Sequence, residues 1–266
     1  MELTCPLCNE PLTKHERVCR CPNRHSFDIA RQGYVNLLTV QQKHSLHPGE
    51  TREQVLSRRE FLEGGFYAPI RDALCDLAKA AHGPILDVGC GEGYYSAYLA
   101  QALGAALTGL DISKEAVRFA AAKYKNATWL CASAAHLPVQ TGSVGILTSL
   151  FALTVPAEFH RVLMPDGVFI QALAAEDHLL ELKKIIYPAL THKEKFTTPD
   201  VPGFWLEKSV PVRFTFTVQG QQVMNLLSMT PHVYRIGREG AEALRNTQSL
   251  TDTASCVLNL YRRTEC

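Results

Sequence analysis

Between residues 85 and 93 the chain reads Ile-Leu-Asp-Val-Gly-Cys-Gly-Glu-Gly, and this run leaves few folds open. A short, largely apolar run ending in glycine suits a strand buried on both faces, and from Tyr94 onward the apolar spacing is that of a helix. Gly89, Gly91 and Gly93 form the turn between them, where the missing Cβ atoms let the backbone come close to a ligand. A second apolar run, residues 106–110, ends on Asp111. It lies about twenty residues past the first glycines, the spacing at which an acid reaches ribose hydroxyls. Strand, glycine turn, helix, strand and acid make one half of a doubly wound α/β sheet.

The spacing G-x-G-x-G departs from the dinucleotide pattern G-x-G-x-x-G, and no second cofactor-binding half follows. With Asp87 ahead of the glycines and Asp111 behind them, the set points to S-adenosylmethionine rather than a nicotinamide, and so to methyl transfer. Asp111 is expected to accept hydrogen bonds from both ribose hydroxyls, strong ones because the acceptor is charged. The plainer alternative is a tight turn capped by Asp87, with Asp111 capping the next helix, although Ser113 is the better cap there. A third strand ends at Cys131-Ala132-Ser133-Ala134, where Ser133 or the backbone of Ala134 would meet the adenine.

The alternation continues around this half. Strands are expected at 84–88, 106–110, 127–131, 144–150 and 167–173, with helices at 94–103, 113–124 and 157–163. Leu163 to Gly167 reads as a turn into the fifth strand. Beyond Glu176 the order changes to a helix at 176–187, a polar, Pro-containing loop at 188–203, and strands near 205–217 and 254–262 with helices near 220–228 and 237–246 between them. The two late strands suit an antiparallel hairpin at one sheet edge. The expected architecture is therefore α/β and Rossmann-like, a seven-stranded, mostly parallel sheet with helices on both faces. Residues 52–82 read as helical with a break at Gly64-Gly65, and 41–51 as a polar linker. Three segments follow: a small module at 1–36, a linker and helical segment at 37–82, and the α/β domain at 83–266.

The first module is short and studded with prolines, too small to fold without a staple. Cys5-x2-Cys8 and Cys21-x3-His25 provide one, since two closely spaced pairs of soft ligands suit tetrahedral structural zinc and leave no position for water. Cys19 could stand in for Cys21, and His15 lies inside the loop. Phe27 and Tyr34 read as core of this module.

With 27 basic and 26 acidic side chains the net charge is +1, so the overall basic footprint of a nucleic-acid binder is absent and any RNA site is a local patch. Nine cysteines without a secretory leader suit a reducing compartment, the cytoplasm, and no run has the length of a membrane span.

Several segments resemble one family, the bacterial large-subunit (23S) ribosomal RNA guanine-N1 methyltransferases. They are Cys-Pro-Leu-Cys at 5–8, Cys-Pro-Asn-Arg-His at 21–25, Gly33-Tyr34-Val35-Asn36-Leu37-Leu38, Arg58-Arg59-x-Phe61-Leu62, Phe66-Tyr67-x-Pro69, Asp87 to Tyr95, His178-Leu179-x-Glu181-Leu182-Lys183 and Met229-Thr230-Pro231. The resemblance covers nearly the whole chain. It implies a class I methyltransferase fold with an N-terminal zinc module, S-adenosylmethionine as donor, a guanine in a 23S rRNA hairpin loop as acceptor, and a homodimer, with no role for DNA or membranes. It also implies that Tyr67, Tyr95, Ser96 and His178 line the cofactor pocket. Family members carry Tyr/Phe-Ala-Pro after the fourth strand; here the run is Phe151-Ala152-Leu153-Thr154, with Pro156 two residues further on. No residue stands out as the general base for guanine N1. Arg17, Arg20, Arg24, Arg31, Lys43, Arg58 and Arg59 are candidate phosphate contacts. A methyltransferase of small molecules and a catalytically weak rRNA-binding module are the competing readings. On the sequence alone, Cys8→Ser lowers zinc content and RNA binding while cofactor binding survives.

Overall fold

The computed structural model describes residues 1–42, 48–190 and 197–264. The chain opens with a three-stranded antiparallel ribbon, β1 (Thr13–His15), β2 (Val18–Arg20) and β3 (Ser26–Asp28). A two-residue strand follows, β4 (Val35–Asn36). Next come α1 (Arg52–Glu63) and α2 (Ala68–Ala78). Helix α1 starts with a capping box, in which the Thr51 side chain accepts from the Gln54 N–H while the Gln54 side chain accepts from the Thr51 N–H. Gly64 ends it, as the sequence break requires.

The α/β part then runs β5 (Ile85–Val88), α3 (Tyr94–Leu103), β6 (Leu107–Asp111), α4 (Lys114–Lys123), β7 (Thr128–Cys131), β8 (Val144–Leu150), α5 (Pro156–Val162) and β9 (Leu163–Ala174). It closes with α6 (Leu180–Ile186), β10 (Phe204–Gln219), α7 (Gln221–Ser228), α8 (Arg238–Arg245) and β11 (Ser249–Arg263). Among the described residues, no helix is long and apolar enough to cross a membrane.

The main sheet has the order β10-β11-β9-β8-β5-β6-β7-β4. It is parallel from β9 to β4, and β10 and β11 form the expected antiparallel pair at the far edge. Among the described residues this sheet has eight strands, where seven were expected. The extra one is β4, whose Val35 and Asn36 pair with Leu130 and Cys131 of β7. Two residues show no alternation, so the sequence carried no signal for it. Strand β9 also starts earlier than expected, since Leu163 pairs with Val144 across an irregularity before the regular register resumes at Ile146 and Val168. Helix α6 starts later than expected because Leu179, at φ +56°, breaks the helical path just before it.

The two faces of the sheet are covered differently. Phe61, Ile70, Leu74, Leu99, Val117 and Leu226 bring α1, α2, α3, α4 and α7 onto one face. The other face carries α5, through Phe159 and Val162, together with Val201 and Phe204. Helices on both faces were expected, but next to α5 the ribbon takes the place of further helices. Its Leu3, Leu12, Cys19, Phe27 and Ile29 pack into the same cluster as Leu130, Ala132, Leu137 and Val139. Backbone hydrogen bonds from Thr4 N–H to Pro138 O (3.0 Å) and from Gln140 N–H to Glu2 O (3.1 Å) stitch this seam.

Near the start of β8 the backbones of two segments almost touch. A Cβ on Gly145 would lie 2.0 Å from the His82 carbonyl oxygen, and the Gly145 N–H donates to Pro84 O at 3.0 Å. Backbone cannot swing aside as a side chain can, so Gly145→Ala is expected to lower stability by about 2–3 kcal/mol, as overpacking does, read from urea unfolding.

Candidate cofactor site and metal centre

The glycine turn sits at the C-terminal ends of β5 and β6 and is tied to β6 by its own backbone. The N–H groups of Gly89 and Cys90 both donate to Leu110 O, at 2.9 and 3.0 Å. The Gly91 N–H donates to Asp111 Oδ2 at 2.9 Å, and the Ser113 N–H to Asp111 Oδ1 at 2.8 Å. Each carboxylate oxygen keeps a further acceptor site, which is what a vicinal diol needs for a bidentate contact. Helix α4 is capped by Ser113, which accepts from the Ala116 N–H, as the sequence reading preferred.

All three motif glycines have positive φ: +81° at Gly89, +56° at Gly91 and +85° at Gly93. Trp129 explains why Gly93 is also bare. Its indole lies across the sheet so that a Cβ on Gly93 would stand 2.6 Å from the ring and one on Gly109 would stand 2.3 Å from it. One buried side chain thus fixes where α3 begins. At Gly91 the space a Cβ would take is nearly open, with only the Arg58 Cδ, at 3.9 Å, nearby.

Asp87 is buried at the end of β5. It accepts from two hydroxyls rather than from the turn backbone, Ser96 Oγ at 2.6 Å and Thr148 Oγ1 at 2.7 Å. Burial pushes its carboxyl up to about 6, against the pull of those two hydrogen bonds. Glu92 is buried too and rises to about 7 by desolvation, which Arg58 only partly offsets. Burial opposes the charge of Arg58, but Glu50 outweighs this and holds the guanidinium firmly protonated. Arg58 also donates to Met229 O at 3.2 Å.

Tyr67 is buried, and its Oη lies 3.4 Å from His178 Nε2. The Ser255 N–H donates to His178 Nδ1 at 3.1 Å, so the neutral ring carries its proton on Nε2, toward Tyr67. Among the described residues, Tyr95 Oη is one of two buried side-chain polar atoms without a hydrogen-bond partner. Of the residues singled out in the sequence, the structure pairs Asp87 with Ser96, Asp111 with Gly91 and Tyr67 with His178, and the Phe151-Ala152 loop, against which His178 and Gly89 both lie, connects the last pair to the turn. Ser133 follows two residues after the end of β7, its Oγ accepting from the Ala135 N–H at 3.2 Å. The neighbouring cleft, about 330 Å³, is lined by Asn36, Leu38, Glu50, Ile112, Ser113 and Cys131 among others. Asn36, Leu38, Glu50 and Thr148 have no place in the sequence reading of this site. Only Thr148, a polar residue in an otherwise apolar strand, left a signal.

These groups suit a cationic, ribose-bearing ligand: two buried carboxylates, a glycine cradle, and an unpaired phenol oxygen. The pH dependence follows. Both Asp87 and Glu92 ionise at higher pH in the fold than in the unfolded chain, so the folded state holds extra protons between about pH 4 and 7. Stability of the free protein therefore falls as pH rises through that window. A sulfonium ligand favours the ionised carboxylates and displaces those protons, so its affinity is expected to rise about tenfold from pH 5 to 7. Titration calorimetry at pH 6 in two buffers of different ionisation enthalpy would detect proton release, and S-adenosylhomocysteine, which lacks the charge, should show less.

In the ribbon, Cys5, Cys8, Cys21 and His25 bring their ligand atoms within 4.8 Å of one another. Cys8 and Cys21 Sγ are 3.7 Å apart, and His25 Nδ1 lies 3.5 Å from Cys5 Sγ and 3.4 Å from Cys21 Sγ. These are close to the edges of a tetrahedron with metal–sulfur bonds of about 2.3 Å and a metal–nitrogen bond of about 2.0 Å. The Glu10 backbone N–H lowers the Cys8 thiol to about 6, which favours the thiolate a metal needs. Cys19 instead faces the apolar seam, and His15 is outside the cluster.

Comparison with known proteins separates the same two parts. Residues 3–46 match the zinc-ribbon family described as "RlmA, N-terminal", and residues 85–167 match a family described as "Methyltransferase domain". A protein of Micromonospora griseorubida named "Putative 23S rRNA (guanine-N(1)-)-methyltransferase" is 37% identical over 203 residues, which is 68% of either chain. A Bacillus subtilis protein with the same description, YxjB, is 31% identical over 265 residues, 92% of this chain and 91% of its own. The chain belongs to the 23S rRNA (guanine-N1)-methyltransferase family. A solved structure, "a Putative Type II Methyltransferase from Anaeromyxobacter dehalogenans", has 22% identity, a TM-score of 0.51, and coverage of 73% of this chain and 95% of its own; it supports the fold alone.

As a member of this methyltransferase family, the protein uses S-adenosylmethionine and a structural zinc ion, and the residues present fit both. Of the other candidate contacts, Arg17, Arg20, Arg24 and Arg31 are exposed on the ribbon side of the chain. Arg58 is engaged by Glu50 and Arg59 by Glu63, so intramolecular pairs occupy both. Lys43 lies outside the described residues. Phe27 and Tyr34 are packed, as expected of core residues, although Tyr34 belongs to the cluster under α1 rather than to a ribbon core.

Proposed function

We propose that the protein transfers a methyl group from S-adenosylmethionine to N1 of a guanine in a hairpin loop of 23S rRNA. The observation that carries this reading is the joining of the zinc ribbon to the cofactor domain. Strand β4 runs from the ribbon directly onto the edge of the sheet, and Asn36 at its end and Leu38 just beyond line the cleft beside the glycine turn. The names of the relatives support the same substrate. In this reading residues 1–36 recognise RNA, 37–82 hold α1 and α2 against the sheet, and 83–266 carry the chemistry.

Asp111 would hold the ribose, Asp87 and Ser96 the cationic end of the cofactor, and Ile112 the adenine, with Tyr67, Tyr95 and His178 closing the pocket. Bound there, S-adenosylmethionine supplies an activated methyl group. The protein's part is to hold the acceptor in line and exclude water. Guanine N1 carries a proton at neutral pH, so its loss accompanies transfer. The base has to leave its stack first, most cheaply from a loop. Exposed Arg17, Arg20, Arg24 and Arg31 would meet the phosphates. Two copies would form the active homodimer, which light scattering would register.

The test is incubation with labelled S-adenosylmethionine and unmodified large-subunit rRNA, followed by mapping of the modified nucleotide. Label at N1 of one guanine is expected. Cofactor binding with no label in RNA would overturn the proposal in favour of a catalytically silent rRNA-binding module. Methyl transfer in the absence of RNA would instead indicate a small-molecule acceptor.

A further inference from the structure

Phe151 and Leu153, which flank Ala152 in the loop after β8, are large and apolar yet 41% and 71% exposed. Phe151 has φ +55°, a left-handed conformation that side chains with a Cβ rarely adopt. The loop is nevertheless firmly held. The Phe151 N–H donates to Ala172 O at 3.0 Å, Ser149 Oγ donates to Leu153 O at 3.3 Å, and Gln171 Nε2 donates to Thr154 Oγ1 at 2.7 Å. Ser149 and Gln171 are paired neighbours on β8 and β9, and both are buried.

Gln171 uses its donor on the loop while its own Oε1 is, among the described residues, the second buried side-chain polar atom left without a partner. Backbone strain, an unpaired buried amide oxygen and displayed apolar side chains together are unfavourable for folding alone. Such features persist where the surface is used. The position of the loop says for what. The space a Cβ on Gly89 would fill is taken by the Ala152 Cβ, only 2.6 Å away, so the loop abuts the first glycine of the cofactor turn. The Phe151 ring is stacked on His178 at 6.4 Å between centroids and 23° between planes.

We infer that Phe151 is the platform on which the target base stacks beside the methyl donor, with Gln171 as a positioning residue that acts through Thr154. The inference rests on the rRNA reading above and adds the residue that receives the base. A flat aromatic ring stacked on one side and open to solvent elsewhere suits a planar base, and its contact is with the ring face rather than with a base edge.

The test uses the full-length protein, S-adenosylmethionine and an rRNA fragment containing the modified hairpin, with S-adenosylhomocysteine binding measured in parallel. Phe151→Leu keeps the apolar bulk and loses the ring; kcat/KM is expected to fall about 5- to 150-fold, as loss of one base–aromatic stack would require. Binding of S-adenosylhomocysteine should stay within about twofold, since the ring is not placed on the cofactor. Phe151→Tyr should recover most of the rate. Thr154→Val cuts the Gln171 link, and its loss should overlap that of Phe151→Leu in the double variant instead of adding to it. Parental kcat/KM in Phe151→Leu, or a matching loss of S-adenosylhomocysteine binding, would overturn this inference and leave the rRNA reading standing. No methyl in RNA with the unaltered protein would overturn both.

Discussion

Replacing Cys8 with serine is expected to remove the zinc and a large share of the protein's stability with it. Structural zinc contributes on the order of 10–16 kcal/mol of apparent binding free energy in small modules. The sequence alone suggests that the loss would stop at the ribbon and spare the cofactor. The packing says otherwise. The ribbon's Leu3, Leu12, Phe27 and Ile29 cover the face of the sheet formed by Leu130, Ala132, Leu137 and Val139, and β4 is hydrogen-bonded to β7. Without the metal that apolar surface is exposed. Zinc content by atomic absorption should fall to near zero and Tm by roughly 10 °C or more, at about 2–4 °C per kcal/mol in a chain of this size. S-adenosylhomocysteine affinity should drop severalfold, through Asn36 and Leu38, and RNA affinity further still. An unchanged Tm in zinc-free protein would show instead that the ribbon is energetically separate.

Asp111→Ala carries the second large effect, on binding and on stability together. Its carboxylate accepts from the Gly91 and Ser113 N–H groups, so truncation leaves two donors without their partner, at about 1–3 kcal/mol each. If it also holds two ribose hydroxyls, S-adenosylhomocysteine affinity falls at least about 100-fold, near 3 kcal/mol. Calorimetry reads the first quantity and urea unfolding the second. Asp111→Asn separates them, because it keeps the volume while placing an amide donor against a backbone donor. An Asp111→Ala protein that binds with parental affinity would remove the residue from the ribose role.

The regular part of the fold was legible because period and punctuation agreed. Strand β8 and helix α3 lie where expected, at Val144–Leu150 and Tyr94–Leu103: Gly93 and Gly104 bracket the helix, and the strand is a largely apolar run that begins just after the turn residues Thr141-Gly142-Ser143. The four zinc ligands were legible because their spacing is local, and folding settled in favour of Cys21 over Cys19. Non-local features were not legible. The pairing of β4 with β7 joins residues far apart in sequence, and Trp129 acts through Gly109 on β6 and Gly93 at the start of α3. Arg58 looked like a surface cation until Glu50 folded back onto it. Thr154 and Leu153 stood out as a departure from the family's loop, but only the fold shows that Gln171, two strands' width from any motif, holds that loop in place.

The ribbon's place on the sheet has a consequence for how the chain is made. The ribbon and β4 are synthesised first, whereas the strand and the apolar face they pack on arrive only with residues 128–139. Until then the ribbon has nothing to shield its apolar side, and domains that wait for late partners are exposed to aggregation as they emerge. Zinc captured early would hold the module in shape through that interval, making metal supply during translation a determinant of yield.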